Sequence, residues 1–416
     1  MTVTPYLDRV ESELKELADM VDADQPGWTR QAMTETDLAG RQWALKRMRE
    51  VGLDAHIDEA GNVIGVLKGR RGGRQLMTGS HTDTVEAGGR FDGMIGVVGA
   101  LEAVRLLKET GQQLDHDLVV VDFFNEEPNR FGLSCVGSRA MTGTLNPQAF
   151  GVTDETGTSF AQSLQIAGIE AEAMHRSRWD FSRTDAFVEL HIEQGPRLEE
   201  MGTEIGMVTS ITGVSRFRAL FTGRRDHAGT TGMEARVDAG CAAAGTVLAV
   251  ERIAEQGNSE LPGSKGTSGG VRFTPEAINV VTELAEIRGE FRSPQGSWLR
   301  EAEEQLSSAA AQEAARRGVD VEVAWLPTQD PRPMNDQVVA HCRDAVDQLG
   351  LSRAELFSGA EHDAAVIADH VPTAMLFVPS HKGRSHCPEE WTDLGDIQKG
   401  IAALTESLIR LDRVGS

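Results

Sequence analysis

The fold is decided by residues 75–96, QLMTGSHTDTVEAGGRFDGMIG, which predict a buried strand, a polar loop and a helix in immediate succession. The apolar run 75–79 is typical of a strand covered on both faces, and 95–108 has the apolar spacing of a helix. His81 and Asp92 lie in the loop between them. This order predicts an α/β sheet whose chemically active side chains gather at a strand end.

The same arrangement recurs along the chain. Three more apolar runs, each leading into a polar loop with a possible metal ligand, are 118–124 before Glu127, 187–191 ending at His191, and 373–378 before His386. Imidazole and carboxylate groups suit divalent ions, and two ions can share one carboxylate if each also receives other ligands. The five candidate ligands therefore predict a binuclear metallohydrolase.

A different order of elements is found between residues 213 and 326. It predicts a strand, a helix, two strands, a helix and a strand at 214–222, 234–256, 271–281, 285–292, 295–317 and 319–325. This β-α-β-β-α-β order is ferredoxin-like. We predict a discontinuous α/β catalytic domain with a mixed sheet flanked by helices, residues 1–212 and 327–416, and an inserted lid domain, 213–326; the alternative is one large sheet. The Gly- and Ser-rich segment 260–270 is expected to be a flexible connection inside the lid.

Composition excludes several classes of protein. The 416 residues carry a formal net charge of -23, which argues against nucleic acid as a partner. The four cysteines show no CxxC spacing, so neither a disulfide framework nor a thiolate zinc site is indicated. The charged N-terminus resembles no signal peptide, and no apolar run is long enough to span a membrane. We expect a soluble cytoplasmic protein without a membrane partner.

Two acidic positions predict roles beside the ligands. Asp83 lies too near His81 in sequence to be simply another ligand, and we expect its carboxylate to accept the second ring N–H of His81. If the chain after 118–124 is extended, Glu126 and Glu127 point in different directions. One can then bind metal while the other, facing a metal-bound water, serves as a general base.

Several motifs between residues 61 and 394 resemble, in the same order, the carbamoylase branch of the M20-type metallopeptidase superfamily: HTDTV, GGRFDG, NEEPNRFG, CVGSRAMTG, ELHIEQGP, DHAGTT, SGAEHDAAVIA and FVPSHKGRSHCPEE. That branch holds N-carbamoyl-L-amino acid hydrolases, β-ureidopropionases and allantoate amidohydrolases. The resemblance implies a homodimer with an α/β catalytic domain, a lid domain that carries the dimer contact, and two divalent ions per subunit (zinc, manganese, cobalt or nickel). It implies hydrolysis of an N-carbamoyl-L-amino acid to the amino acid, ammonia and carbon dioxide.

The resemblance also implies roles for individual residues. Asp92 would bridge the two metals, with His81 and His191 at one and Glu127 and His386 at the other. Glu126 would be the base, and His227 would reach the partner subunit's site and polarise the scissile carbonyl. The positions implied to bind the substrate are Gln194, Asn279, Arg292 and Gly359.

Three positions depart from the family pattern. Glu290 stands where an Asp commonly precedes Arg292 by two residues, Glu361 replaces a glycine, and Cys387 follows the ligand His386 where a small polar residue is common. We expect Cys387 to be a packing residue and Glu361 to affect specificity. The alternatives to a carbamoyl amino acid are allantoate, a β-ureido acid, and an N-acyl amino acid or peptide; the least favoured is a metal-binding protein without catalysis.

Overall fold

A computed structural model describes residues 4–414. In chain order the strands are β1 (Asp54–Ile57), β2 (Val63–Leu67), β3 (Gln75–His81), β4 (Asp117–Phe123), β5 (Thr184–Ile192), β6 (Ile205–Ile211), β7 (Gly213–Thr222), β8 (Lys265–Thr274), β9 (Leu284–Ser293), β10 (Asp320–Trp325), β11 (Arg332–Pro333), β12 (Arg353–Ser358) and β13 (Thr373–Val378). The α-helices are α1 (Leu7–Asp19), α2 (Glu35–Glu50), α3 (Met94–Glu109), α4 (Val136–Thr142), α5 (Phe160–Ile166), α6 (Arg197–Met201), α7 (Ala239–Glu260), α8 (Gly296–Ala315), α9 (Asp336–Gln348), α10 (Asp363–Ile367) and α11 (Leu394–Val414).

The chain divides into two compact units. Unit 1 contains Met1–Thr209, Met334–Leu356 and Glu361–Ser416, and unit 2 contains Ser210–Pro333 and Phe357–Ala360. The chain therefore leaves unit 1 and returns to it, as a discontinuous domain must. The lid and dimerisation roles predicted for the inserted residues remain predictions.

Unit 1 is built on a mixed sheet, with strand order β1-β2-β4-β3-β5-β13-β6 and β12 also paired to β6. The four central strands β4, β3, β5 and β13 are parallel to their neighbours within this group. β3, β4 and β13 are buried along their whole length, and their continuous apolar sequences are those expected when both faces are covered. Their carboxyl ends lie at one edge of the sheet, where α/β proteins place their sites.

Unit 2 has a four-stranded antiparallel sheet in the order β10-β7-β9-β8. With α7 after β7 and α8 after β9, the chain order is β-α-β-β-α-β, which confirms the predicted ferredoxin-like arrangement. One face of the sheet packs on the two helices around Phe217, Phe291 and Trp298, all buried. Most of the alternating residues on the other face are polar or charged, as the period of a strand allows; the exceptions on β7 and β9 are Val214, Leu220 and Leu284.

Two predicted elements of unit 2 were wrong. The segment 260–270 is not a flexible connection, because Lys265–Thr274 forms β8 and pairs with β9, whereas the sequence pattern predicts the strand at 271–281. Gly266 is closely packed in this strand, because a Cβ there would lie 2.7 Å from Phe291 Cε1. Helix α7 begins at Ala239 instead of 234, because the Asp238 side chain accepts the N–H groups of Gly240 and Cys241 and so caps it there.

Two further properties concern the whole described chain. Between residues 4 and 414, no helix combines the length and apolar character that a bilayer crossing needs. The four cysteines are free thiols.

Candidate metal centre

The structure brings the five predicted ligands together within unit 1. His81 ends β3, His191 lies near the end of β5, and Asp92 occupies the loop before α3. Glu127 follows β4, and His386 lies in the loop after β13. All are buried except His386, whose side chain is about half exposed.

The carboxylate of Asp92 lies at the middle of this cluster. Its Oδ1 is 3.1 Å from His191 Nε2 and 3.7 Å from His81 Nε2, and its Oδ2 is 3.1 Å from His386 Nε2. His386 Nε2 is also 3.2 Å from Glu127 Oε1. Two groups of three ligand atoms therefore share Asp92, one with His81 and His191 and the other with Glu127 and His386, and in each group the atoms lie within 4.8 Å of one another.

The hydrogen bonds of the two buried imidazoles favour metal binding. Nδ1 of His81 lies 2.9 Å from the carbonyl oxygen of Asp83, and Nδ1 of His191 lies 2.9 Å from that of Ile192. Since a carbonyl can only accept, each Nδ1 carries the proton in the neutral ring and leaves a lone pair on Nε2. Among residues 4–414, the buried Nε2 of His191 makes no well-directed hydrogen bond, although Asp92 Oδ1 lies 3.1 Å away. A lone pair in that position fits a metal ion.

The charge of the cluster fits a cation as well. Hydrogen bonds to Asp92 and then to Glu127 raise the pKa of His386 to about 11, so a positive charge is favoured between these carboxylates. The donor set contains only imidazole nitrogen and carboxylate oxygen, which divalent zinc, manganese, cobalt and nickel all accept. The residues present therefore fit two divalent ions.

The expectation for the Asp83 side chain was wrong. The ring of His81 bonds to the Asp83 carbonyl, while the carboxylate is 3.7 Å from the ring nitrogen. The carboxylate instead accepts the backbone N–H groups of Glu126, at 3.2 Å, and Glu127, at 3.1 Å. The turn after β3 points the carbonyl at the ring and the side chain at the loop after β4. Asp83 thus fixes the backbone of both glutamates.

Glu126 and Glu127 do point to different partners, although the chain between them and β4 is not extended. Asn125 has a φ of 52°, in the left-handed region, so the strand ends in a sharp turn. Glu127 faces His386, whereas Glu126 Oε2 lies 3.5 Å from His81 Nε2. Burial, and then the charge of Glu127, raise the pKa of Glu126 well above its ordinary value. A carboxylate of this kind can take up a proton near neutral pH.

Sequence reasoning missed Glu390. Its buried carboxylate accepts the N–H groups of Phe91, at 2.8 Å, and Asp92, at 3.1 Å, and the hydroxyl of Ser385, at 2.7 Å. A Cβ on Gly89 would lie 2.0 Å from Glu390 Oε1, which explains the glycine in GGRFDG. The signal for this contact was present in the sequence as a second glutamate in the segment HCPEE. Glu390 joins the loop of the central carboxylate to the loop of the last ligand.

Gln194 lies at the same cluster. Its Nε2 donates to Asp92 Oδ2 at 2.7 Å, and its backbone N–H donates to Ser380 Oγ at 3.0 Å. Its φ of 56° is left-handed, a conformation that non-glycine residues rarely adopt. The side chain is therefore held beside Asp92 by the turn after β5.

A third group of possible ligands was also missed. Glu189, His191 and His362 are buried, with ligand atoms within 4.8 Å of one another. The ring centroids of His191 and His362 are 4.5 Å apart. Signals for this group were HDA in SGAEHDA and the alternation of Glu189 with His191 along β5. His191 therefore has two possible sets of neighbours in a metal complex.

The two residues of unit 1 that depart from the family pattern, Glu361 and Cys387, have different surroundings. Glu361 accepts from Arg139 Nη2 at 2.8 Å and from Ser134 Oγ at 3.3 Å, so its carboxylate is neutralised by a neighbouring cation. Cys387 is partly exposed and belongs to none of the three possible ligand groups found among residues 4–414.

In unit 2, the structure brings His227 and Asn279 together. The N–H of Ala228 donates to the carbonyl of Asn279 at 3.0 Å, and His227 forms an isolated β-bridge with Val280. The imidazole is exposed, and its Nδ1 accepts the N–H of Gly229 at 3.0 Å. In the neutral ring the proton then belongs to Nε2, which becomes a donor.

Arg292 and Gly359 form a second pair in unit 2. Arg292 Nη1 donates to the carbonyl of Gly359 at 2.9 Å, and Arg292 Nε donates to Glu290 Oε1 at 2.6 Å. The longer Glu in place of Asp thus does reach the arginine. Its other oxygen accepts from Arg216 Nε at 3.2 Å.

Replacing ligands should remove ions in steps. Asp92→Asn should lose both ions, because an amide offers one weakly basic oxygen, whereas His386→Ala should keep about one ion per chain. Elemental analysis after dialysis measures the stoichiometry. His175→Ala, which removes an exposed imidazole that belongs to none of the possible ligand groups among the described residues, is the matched control and should keep about two. Retention of both ions by Asp92→Asn would contradict a shared carboxylate.

Comparison with known proteins agrees with this geometry. Residues 77–410 match the family model described as peptidase family M20/M25/M40. The chain is 37% identical to an N-carbamoyl-L-amino-acid amidohydrolase of Paenarthrobacter aurescens, covering 98% of both chains. It is 35% identical to a ureidoglycolate hydrolase of Oryza sativa subsp. japonica, covering 97% of this chain and 84% of the relative.

A solved structure extends the likeness to the fold. An amidase of the hydantoinase/carbamoylase family from Burkholderia multivorans superposes with a TM-score of 0.88 at 31% identity, covering 99% of each chain. The predicted fold class, family resemblance and amide-hydrolysing activity are confirmed. The chain belongs to peptidase family M20/M25/M40, among its carbamoylase-type amidohydrolases.

Proposed function

We propose that the chain hydrolyses the carbamoyl amide of an N-carbamoyl-L-amino acid and releases the amino acid, ammonia and carbon dioxide. The observation that carries the proposal is the cluster centred on Asp92, with the free carboxylate of Glu126 beside it. The relative from P. aurescens is named for this activity. All five predicted ligands and the predicted base are present in the cluster, and the proposed hydrolysis needs each of them.

Five residues would hold two divalent ions: His81 and His191 on one side of Asp92, and Glu127 and His386 on the other. When bound, such ions lower the pKa of a water and polarise the substrate carbonyl. Zinc, manganese, cobalt and nickel all suit these donors. Gln194, which donates to Asp92, is placed to contact the polar head of a substrate beside the ions.

Glu126 is the general base of this proposal. It takes a proton from the attacking water, whose oxygen forms a bond to the ureido carbon. The C–N bond to the amino acid then breaks, and the same proton goes from Glu126 to the leaving nitrogen. The raised pKa of Glu126 allows both steps at neutral pH. The carbamic acid left behind decomposes to ammonia and carbon dioxide.

His227 supplies the donor for the oxyanion. The N–H of Gly229 occupies Nδ1, so the neutral ring presents Nε2–H to a developing negative charge. The ring is exposed in a single chain, and Asn279 accompanies it on the neighbouring loop. We infer a homodimer in which His227 and Asn279 act in the partner subunit's site.

In this proposal, Arg292 binds the α-carboxylate of the substrate. Its guanidinium is held by Glu290 and by the carbonyl of Gly359, so it is oriented before substrate arrives. A substrate carboxylate bound at Arg292 would therefore lie beside Gly359.

A second candidate substrate is ureidoglycolate, because the rice relative is named for it. Ureidoglycolate is an N-carbamoyl amino acid whose side chain is a hydroxyl group, and allantoate carries a second ureido group in the same place. All three share a ureido group and a carboxylate on one carbon, so the same machinery serves them. A β-ureido acid places the carboxylate one carbon farther away. Glu361, fixed by Arg139, is the position that we expect to discriminate among side chains.

Glu126→Gln should keep both ions but lose at least about a thousandfold in kcat, because an amide cannot take up the proton of the water. Stopped assays and elemental analysis measure the two properties. The matched variant is its neighbour, Glu127→Gln, which should instead lose an ion. A Glu126→Gln enzyme that retains a tenth of its turnover would rule out Glu126 as the base.

Two inactive variants should complement each other if the site is shared. When Glu126→Gln and His227→Ala subunits exchange, hybrid dimers form that contain one subunit of each kind. If His227 acts in the partner's site, one site of each hybrid contains both substitutions and the other contains neither. Activity should then return to roughly a quarter of the wild-type value, half of the dimers being hybrids with one working site of two. No recovery after exchange has been demonstrated by mass spectrometry would place His227 in its own subunit's site.

The wild-type enzyme should strongly prefer a carbamoyl amino acid to its carboxamide. Arg292→Lys keeps the charge, but an ammonium cannot hold Glu290 and the Gly359 carbonyl in the same geometry while it donates to a substrate carboxylate. We therefore expect kcat/KM for the acid to fall by about tenfold or more, and Arg292→Ala should no longer discriminate. A panel of N-carbamoyl, ureidoglycolate, allantoate, N-acyl and dipeptide substrates, assayed with each metal, identifies the substrate. Preference for an N-acyl or peptide bond would overturn the proposed function.

A further inference from the structure

The open face of the unit 2 sheet carries more basic than acidic side chains. The basic residues that alternate onto this face of β7, β9 and β8 are Arg216, Arg218, Arg288, Arg292, Lys265 and Arg272, and the acidic ones are Glu286 and Glu290, to which β10 adds Asp320 and Glu322. Each glutamate of β9 on this face accepts from two arginines: Glu286 from Arg218 and Arg288, and Glu290 from Arg216 and Arg292. Within residues 4–414, the ammonium of Lys265 has no such partner. This basic face stands out in a chain of net charge -23.

Lys265 lies directly opposite Arg292 in the ladder between β8 and β9. Opposed residues of an antiparallel pair project to the same face, and two like charges in that position repel each other. Glu290 accepts from Arg292 and Arg216, and no hydrogen bond or ion pair joins it to Lys265 among the described residues. An anion that contacts both cationic side chains would relieve their repulsion.

Both cations converge on Gly359. Lys265 Nζ lies 3.9 Å from the position that a Cβ on Gly359 would occupy, and Arg292 Nη1 donates to the carbonyl of the same residue. Gly359 is exposed and has no side chain, so the space between the two cations is open. A small anionic group can enter there.

The free hydrogen-bond donors of Arg292 are too few to bind both oxygens of a substrate carboxylate, because two of its three side-chain nitrogens are already engaged within unit 2. Nε is bonded to Glu290 and Nη1 to Gly359, and Nη2 has no partner among the described residues. A carboxylate has two oxygens that each favour a charged donor. We propose that Lys265 is a second carboxylate-binding residue, which donates to one oxygen of the substrate α-carboxylate while Arg292 Nη2 donates to the other. This inference rests on the proposed function of Arg292.

The test compares N-carbamoylalanine with its carboxamide. Lys265→Met should lower kcat/KM for the acid about tenfold, mainly through KM, which is the loss expected for one hydrogen bond to a charged group. Use of the carboxamide should not change, and Lys265→Arg should recover most of the loss. Because a repulsion is removed, the unfolding temperature of Lys265→Met should equal or exceed that of the wild type. A lower unfolding temperature would mark Lys265 as structural and overturn the proposal.

The matched control is Arg288→Met. It removes one positive charge from the same face, four residues before Arg292 on β9 and away from Gly359. Its kcat/KM for the acid should stay within about twofold of the wild type, because an exposed charge at that distance is screened by physiological salt. An equal loss in both variants would show general attraction by the basic face and overturn a direct contact.

The two proposals fail in different ways. If the wild type uses acid and carboxamide equally, carboxylate recognition fails, and the role of Lys265 fails with it. If the wild type prefers the acid and Lys265→Met keeps the full preference, only the role of Lys265 is overturned.

Discussion

The crowding of carboxylates around Asp92 is the constraint on which the site depends. Asp92, Glu126 and Glu127 are buried together, and in a medium of low dielectric constant their mutual repulsion is large. Burial first, and repulsion from Glu127 second, raise the pKa of Glu126 well above its ordinary value. Divalent ions relieve it, and the lone pairs of the two buried histidines are aimed where such ions would lie. The same repulsion prepares Glu126 to take a proton, so metal binding and base catalysis have one physical origin.

Two further carboxylates hold the crowded groups in place without contacting a substrate. Asp83 accepts the backbone N–H groups of both glutamates, and Glu390 accepts those of Phe91 and Asp92 at the end of the loop before α3. Asp83 is itself 3.9 Å from the buried guanidinium of Arg41, which also donates to the carbonyl of Phe123 at the end of β4. Helix α2, far from the cluster in sequence, is thus tied to the loop that carries the base. Because these hydrogen bonds fix the loops that carry Asp92, Glu126 and Glu127, the loops can oppose the repulsion that would otherwise separate the three carboxylates.

Periodicity and chain order were enough to predict the strands that end at His81 and His191 and the discontinuous α/β arrangement, because apolar runs of that length and composition admit few alternatives. Contacts made by backbone atoms were not predictable in this way. The sequence predicts a hydrogen bond between the Asp83 side chain and His81, whereas the backbone carbonyl of Asp83 makes that bond. Residue types alone do not determine the direction of the turn after β3. The strand β8 was missed since its glycines signal a loop, and only the ladder with β9 and the packing on Phe291 make them a strand. The role of Glu390 was not predictable because the backbone N–H groups that it accepts, those of Phe91 and Asp92, lie almost 300 residues away in the chain.

The most direct test of the shared-carboxylate site is anomalous X-ray diffraction from crystals loaded with zinc or manganese. We predict two peaks roughly 3.5–4 Å apart, the separation usual in two-metal sites. One should be bound by His81 and His191, the other by Glu127 and His386, with one oxygen of Asp92 on each and Glu126 bound to neither. A single peak, or an ion held by Glu189, His191 and His362 instead, would contradict the shared carboxylate and the assignment of Glu126 as the base.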